Sequence, residues 1–187
     1  GRAAAVDGHP ARIAAARDPV ALHPAFESER IARIEGFLST DTLARLQAES
    51  KRNRTGAERS FIPGHKKGGT LSYETLQRRA PAMVALYHSP QLRAWLSALV
   101  GADLAPTADH DQSSCSLLCY DRGGDHIGWH YDHNFYRGRH FTVLICLANQ
   151  GAQGGPSASR LLIIGRMSSA CFSGACSKRS TPSRGAG

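Results

Sequence analysis

Hydrophobic and polar positions recur near the start of the chain in a pattern that predicts a strand followed by a helix. Over residues 31–38 the apolar and polar side chains roughly alternate, which is typical of a short edge strand. Ser39 or Thr40 then offers an N-cap for a helix in which Leu43 and Leu46 lie on one face. We therefore expect the helix to begin directly after the strand.

A second helical pattern covers residues 73–100, with breaks near Pro81 and at Ser89-Pro90. In its last part four large apolar residues share one face, so this helix is expected to pack against a sheet. Gly101 follows where a left-handed cap would end the helix. The four apolar residues are Leu92, Trp95, Leu96 and Leu99.

Short strands separated by glycine-rich turns are predicted in the second half of the chain, at residues 113–120, 129–133 and 140–148. Such an order is typical of an antiparallel barrel or sandwich. We therefore expect a mainly β fold with packed helices, an α+β arrangement.

Three other segments lack a sustained pattern. Residues 1–30 resemble a loosely ordered lead-in, and residues 151–187 an aberrant tail, which leaves one domain at residues 31–150. Residues 51–70 are rich in Lys, Arg, Gly and Ser, with Pro63-Gly64 and Gly68-Gly69 as breakers, and predict a long mobile loop. That loop is either a lid or binding loop, or a solvated insertion.

Composition limits the classes of protein that remain. A chain of 187 residues with 41% hydrophobic residues suits one globular domain. The longest apolar stretch, Phe141–Ala148, is too short to cross a bilayer, so no membrane partner is expected. The N-terminus does not have the pattern of a secretory signal, and the five cysteines form no Cys-x-x-Cys pair. A cytoplasmic protein with reduced cysteines is predicted, its oligomeric state open.

The formal charge of +8 is unevenly distributed. No acidic residue follows Asp132, so the basic excess lies in one segment rather than on one face of a domain. Nucleic-acid binding is therefore disfavoured. The basic residues after Asp132 are Arg137, Arg139, Arg160, Arg166, Lys178, Arg179 and Arg184.

The residues that indicate chemistry lie in the stretch from Cys119 to His133. On an extended strand, residues two apart point to the same face, so His130 and Asp132 would project together. Imidazole and carboxylate ligands with open coordination positions suit Fe(II). His-x-Asp alone is a common pattern, however, and its weight depends on the residues around it.

Other interpretations of the neighbouring residues stay open. His126 and His133 could join His130 in a zinc site, although the alternation of a strand puts His133 on the opposite face. His140 opens a hydrophobic strand and is read as a strand-end residue. Tyr120 could be an ordinary half-buried strand residue.

The order Tyr120, glycine-rich turn, His130-x-Asp132, then a hydrophobic strand from residue 141 to Leu147-Ala148-Asn149 resembles the prolyl-4-hydroxylase-like oxygenases. The resemblance implies a double-stranded β-helix, or jelly roll, that uses Fe(II) and 2-oxoglutarate, with ascorbate as a further cofactor. It implies hydroxylation of a peptidyl or small-molecule substrate, with His130 and Asp132 as metal ligands. Tyr120 would contact the 2-oxoglutarate.

The chain departs from that family after residue 149. The family's distal His ligand and basic anchor for 2-oxoglutarate are not found, because no His follows His140. We expect that the reading frame leaves the family pattern between Gln150 and Arg166, that the last strands are incomplete, and that this form could be inactive. The alternatives are a non-catalytic jelly-roll binding module, or a basic interaction protein that uses residues 51–67 and the tail.

Overall fold

The structure, a computed structural model, describes residues 12–14, 17–108, 110–112, 114–128, 139–148 and 160–165, the last range by its backbone alone. Within these residues it contains α-helices and two antiparallel sheets, so the α+β prediction is confirmed. None of the helices in these ranges has the length and apolar character that a bilayer crossing requires.

Five α-helices lie in the described ranges, and serine side chains cap three of them. The hydroxyl groups of Ser39, Ser72 and Ser89 each accept a hydrogen bond from a backbone N–H of the first helical turn. Gly101, at φ 66°, ends the last helix as predicted. The helices are α1 (Pro19–Glu29), α2 (Thr40–Asn53), α3 (Tyr73–Arg79), α4 (Pro81–Tyr87) and α5 (Pro90–Val100), with a 3-10 turn at Arg54–Gly56.

In the part of the chain that the structure describes, seven strands form two sheets in which every pairing is antiparallel. The first sheet has the order β1-β7-β6, with β1 at Ile31–Glu35, β6 at Phe141–Cys146 and β7 at Arg160–Gly165. In the second sheet β3 pairs with β2 on one side and with β4 and β5 on the other. Its strands are β2 (Glu58–Ile62), β3 (Lys66–Leu71), β4 (Leu117–Cys119) and β5 (His126–Ile127).

The hydrophobic core lies where the helices meet the sheets. The Phe26 ring of α1 is 1% exposed and its centroid is 6.2 Å from that of Phe141 on β6. The ring of Phe37 meets Trp95 of α5 edge to face at 5.0 Å. The predicted apolar face of α5 is buried, and Leu71 and Leu117 extend the core to the second sheet.

The loop prediction for residues 51–70 is wrong. Helix α2 continues to Asn53, and β2 and β3 then form a hairpin whose turn contains Pro63 and Gly64, the latter at φ 71°. Gly68 and Gly69 are not breakers, because both are buried within β3 where neighbouring groups leave no room for a Cβ. Three further elements were not predicted: α1 in the lead-in, β5 in the glycine-rich turn and β7 in the tail.

Of the three strands predicted in the second half of the chain, two lie within the described residues. Strand β6 confirms the prediction around residues 140–148, and β4 occupies the end of the predicted strand at 113–120. The predicted strand at 129–133 lies outside the described residues.

Candidate functional site

The predicted metal ligands His130 and Asp132 lie outside the described residues, as does His133. The metal site therefore stays a prediction. Among the residues that the structure describes, no group of three or more His, Cys, Asp or Glu side chains could hold a metal ion. Tyr120, predicted to bind the co-substrate, is described, and its surroundings are informative.

Tyr120 follows β4 and lies across β3. Because Cys119 pairs with Gly69, the next residue, Tyr120, stands opposite Gly68. A Cβ at Gly68 would be only 2.7 Å from Cε1 and 2.8 Å from Cδ1 of the Tyr120 ring. The ring therefore lies directly over Gly68.

The Tyr120 hydroxyl is buried, and it has no hydrogen-bond partner among the described residues. Burial raises the pKa of this phenol above its ordinary value, and the charge of Asp125 raises it further. The hydroxyl therefore keeps its proton at neutral pH and can donate a hydrogen bond. A buried hydroxyl without a partner costs about 1–3 kcal/mol, so this group is arranged to meet something other than its described neighbours.

Ser60 presents a second buried hydroxyl on the same face. Ser60 pairs with Gly68 across the hairpin, so the Ser60 side chain lies on the face of the sheet to which a side chain at Gly68 would point. The Oγ atom of Ser60 is also buried without a partner in the described part of the chain. We call Ser60, Gly68 and Tyr120, three neighbours across the strands, the hydroxyl row.

Lys66 and Thr70 flank Gly68 along β3 on this face, since side chains two residues apart point the same way. The Nζ of Lys66 donates to Oγ1 of Thr70 at 3.2 Å, so the lysine side chain runs past Gly68. Exposed apolar side chains of Ile62 and Leu118 border the same face. The hydroxyl row is thus accompanied by one ammonium group.

The opposite face of the hairpin holds the turn between β4 and β5. Arg59 forms ion pairs with Asp125 and, at 3.3 Å, with Asp121. The hydrogen bond from Arg59 lowers the pKa of the Asp125 carboxyl. A second hydrogen bond, donated by the backbone N–H of Arg122 to Oδ2 of Asp125 at 3.0 Å, lowers this pKa further. Lys67 donates to the carbonyl oxygen of Gly123 at 3.2 Å. These contacts fix the turn that separates Tyr120 from the His130-x-Asp132 motif.

The last described residues before that motif are tied to the hairpin turn. The Gly128 N–H donates to the carbonyl oxygen of His65, and a Cβ at Gly128 would meet this oxygen and that of Gly64 at 3.2 Å. His126, the third histidine of the alternative zinc site, is exposed and has Nδ1 2.9 Å from the carbonyl oxygen of Gly124. That contact orients Nδ1–H toward the carbonyl.

The sequence analysis did not identify three residues of this region as site residues, because it predicted a loop for residues 51–70. These residues are Arg59, Ser60 and Lys66. A signal for the hairpin was present in the sequence. The run Ser60-Phe61-Ile62 precedes a Pro-Gly turn, and Thr70-Leu71 ends the following segment. The abundance of Lys, Arg and Gly concealed it.

The family model for halogenase D matches residues 15–148, well over half of the chain. The matched range includes the hydroxyl row and the predicted ligands His130 and Asp132. It also includes Arg59 with its ion-pair partners Asp121 and Asp125, which we call the Arg59 cluster. No curated protein matches the chain.

This match corrects two predictions. The assignment to prolyl-4-hydroxylase-like oxygenases is wrong, and with it the function as a hydroxylase, because the family that matches is a halogenase family. The physical reason is that His-x-Asp and a nearby tyrosine indicate which metal and co-substrate could bind, but not which group is transferred to the substrate. The chain belongs to the halogenase D family.

Proposed function

We propose that this chain is an iron- and 2-oxoglutarate-dependent oxidoreductase that transfers a halide to a small-molecule or peptidyl substrate. The observation that carries the proposal is the halogenase D match over residues 15–148. Iron with 2-oxoglutarate and dioxygen supplies the oxidising power. For each substrate hydrogen replaced, one halide and one proton are consumed, and succinate, carbon dioxide and water are released.

His130 and Asp132 are the proposed iron ligands. Their spacing by two would direct an imidazole and a carboxylate to one side of an extended segment. Such a ligand pair suits Fe(II) and leaves other coordination positions free. Iron held by these two side chains would supply the oxidising chemistry, and the free positions would leave room for the 2-oxoglutarate, dioxygen and halide that the reaction consumes.

Tyr120 is the proposed contact to 2-oxoglutarate. The fit rests on the buried hydroxyl that no described group satisfies, since a carboxylate oxygen would accept a hydrogen bond from it. A phenol is protonated at neutral pH, so the group can donate a hydrogen bond to a dianionic ligand. Its position ten residues before His130, at the start of the fixed turn, places it in the same part of the sequence as the proposed ligands.

The finer description of the fold belongs to the same proposal. Two antiparallel sheets with packed helices are compatible with a jelly roll, in which a metal and its co-substrate would lie between the sheets. Ascorbate as an auxiliary cofactor and a cytoplasmic location remain predictions from the sequence.

The proposal is tested by incubating the purified chain with Fe(II), 2-oxoglutarate, air and either chloride or bromide, together with a mixture of amino acids, peptides and metabolites. We expect iron-dependent succinate and a product whose mass and isotope pattern change with the halide. His130→Ala should remove both signals. Succinate formation that persists without iron or in His130→Ala would contradict the iron chemistry, and products that never carry the halide would contradict the halogenase function.

A further inference from the structure

The backbone of Gly128 packs against the turn of the β2–β3 hairpin. In that turn the His65 N–H donates to the carbonyl oxygen of Ile62 at 2.9 Å, and Gly64 has φ 71°. Proline at the second position and a glycine with positive φ at the third are typical of a type II turn. Because the ring of Pro63 fixes one backbone angle, the turn is a stiff support for the chain that lies on it.

Two carbonyl groups of the turn lie against Gly128. The oxygen of His65 accepts the Gly128 N–H, and a Cβ added at Gly128 would lie 3.2 Å from this oxygen and 3.2 Å from that of Gly64. No side-chain rotation can relieve such close contacts, because both oxygens belong to the backbone. The φ of Gly128 is not positive, so glycine is required here by the close approach of two backbone segments.

This contact lies close in sequence to the proposed iron ligands. His130 follows Gly128 by two residues, and two residues of extended chain span at most about 7 Å. On the other side of the motif, Arg139 pairs with Glu27 at 3.1 Å, seven residues after Asp132. Seven residues can span about 23–25 Å, and an ion pair between half-exposed side chains contributes little in water. The contact at Gly128 therefore restricts the position of the motif far more than the contact at Arg139 does.

We propose that Gly128 and the type II turn are positioning elements for the metal centre, and that the hydrogen bond from Gly128 to His65 fixes where the His130-x-Asp132 motif begins. The inference rests on the proposed function, since the iron site belongs to that proposal. Gly128 has no side chain to offer a metal, so it acts through the chain that leads to His130. Metal affinity thereby depends on a backbone contact outside the ligand set, as it commonly depends on the groups that orient metal ligands.

Titration calorimetry of the full chain with Mn(II), which stands in for Fe(II) because air does not oxidise it, tests the inference with Gly128→Ala. The new Cβ should push the chain away from the two carbonyl oxygens, and we expect the affinity for Mn(II) to fall about tenfold to a hundredfold. Gly36→Ala is the matched control, because Gly36 has φ 64° and an added Cβ would meet nothing within 4 Å. It strains the connection between β1 and α2 without touching the hairpin. Arg139→Gln is the second control, and both controls should bind Mn(II) as the wild type does.

Thermal unfolding without metal separates positioning from a general loss of stability. We expect Gly128→Ala and Gly36→Ala both to lower the unfolding midpoint, whereas metal affinity should fall in Gly128→Ala alone. Wild-type affinity of Gly128→Ala for Mn(II), or an equal loss in Gly36→Ala, would overturn the inference and leave the proposed function standing. A wild type that binds neither Mn(II) nor Fe(II) would remove the metal centre, and both proposals with it.

Pro63→Gly provides a second variant in case Gly128→Ala does not fold. It frees a backbone angle of the turn without adding an atom near Gly128, so the folded protein should persist with a looser support. We expect the affinity for Mn(II) to fall about twofold to fivefold, the loss that such a gain in backbone freedom brings. Unchanged affinity in Pro63→Gly would mean that the turn does not position the metal ligands.

Discussion

At Gly68 the absence of a side chain determines where Tyr120 can lie. The ring occupies the space that a Cβ would need, and it thereby lies on the face shared with Ser60. The residue type matters here through packing rather than through backbone conformation. Among the described residues, Gly68 is the glycine whose added Cβ would most directly displace a residue of the candidate site.

Gly68→Ala should move the Tyr120 ring and destabilise the protein by about 1–3 kcal/mol, the usual cost of overpacking. Gly123→Ala is the control, since a Cβ there would meet nothing within 4 Å, and its effect should stay within about 0.5 kcal/mol. Urea unfolding at neutral pH measures both. Equal stability of the two variants would show that the ring does not occupy the position described.

His130→Ala and Asp132→Ala should each abolish Mn(II) or Fe(II) binding if both side chains hold the metal, since few ligands remain to retain it. His133→Ala should bind metal as the wild type does, because the alternation of a strand directs it away from His130. Metal titration calorimetry distinguishes these variants. Equal affinity in wild type and Asp132→Ala would remove Asp132 from the site, and loss in His133→Ala would favour the zinc arrangement.

At the scale of elements, the β2–β3 hairpin connects the hydroxyl row on one face with the Arg59 cluster on the other. Arg59 pairs with Asp125 in the turn after Tyr120, so the hairpin holds the chain on both sides of that turn. The turn is thus positioned by contacts about sixty residues away in sequence, and not by its own glycines alone.

Asp125→Asn should lower stability at neutral pH and lose this effect in acid. The ordinary pKa of the carboxyl, 3.8, is lowered in the folded protein, chiefly by the hydrogen bond from Arg59. A carboxyl whose folded pKa is depressed contributes stability above its unfolded pKa and loses it as pH falls through the folded value. Urea midpoints of wild type and Asp125→Asn should therefore differ from pH 7 down to about pH 5 and converge below about pH 4.

Arg59→Gln supplies the control for that comparison. Because Arg59 and Asp125 act as a pair, the double variant should lose less than the sum of the two single losses at neutral pH. Strict additivity at pH 7, or a difference that stays constant down to pH 3, would mean that the ion pair does not hold the turn.

The elements that sequence predicted well are those whose signals are local. Helix caps such as Ser89 and Gly101 bond within one turn of the helix, so their residue types are readable from a few neighbours. The hairpin was not readable in this way, because the burial of Gly68 depends on Tyr120, far along the chain. Tyr120 itself was selected from its motif, while Ser60 became visible only through strand register.

At the scale of the whole molecule, α1 closes the core against α5 and the first sheet. The composition of residues 1–30 concealed this helix, since its surface is mixed and Pro24 lies inside it. Its contribution depends on one buried ring, Phe26, which contacts Phe141 of β6. Such long-range packing cannot be read from the pattern of one segment.

Phe26→Ala should destabilise the protein by about 3–5 kcal/mol, the usual cost of removing a buried aromatic ring. Val20→Ala, on the same helix but 65% exposed, is the control and should change stability by less than about 0.5 kcal/mol. Chemical denaturation measures both. A small effect of Phe26→Ala would mean that α1 is dispensable to the folded domain.

The strand order β1-β7-β6 also determines when the first sheet can form during synthesis, because its central strand is made last. Strand β7 lies between its two partners, and Ile31 of β1 pairs with Ile164, so that sheet cannot close while the ribosome is still making the residues in between. Until then β1 and β6 have no neighbour on the side that β7 later covers, and exposed strand edges of this kind recruit other chains. Contacts so distant in sequence slow folding, and a nascent chain of this protein is therefore an expected client of chaperones.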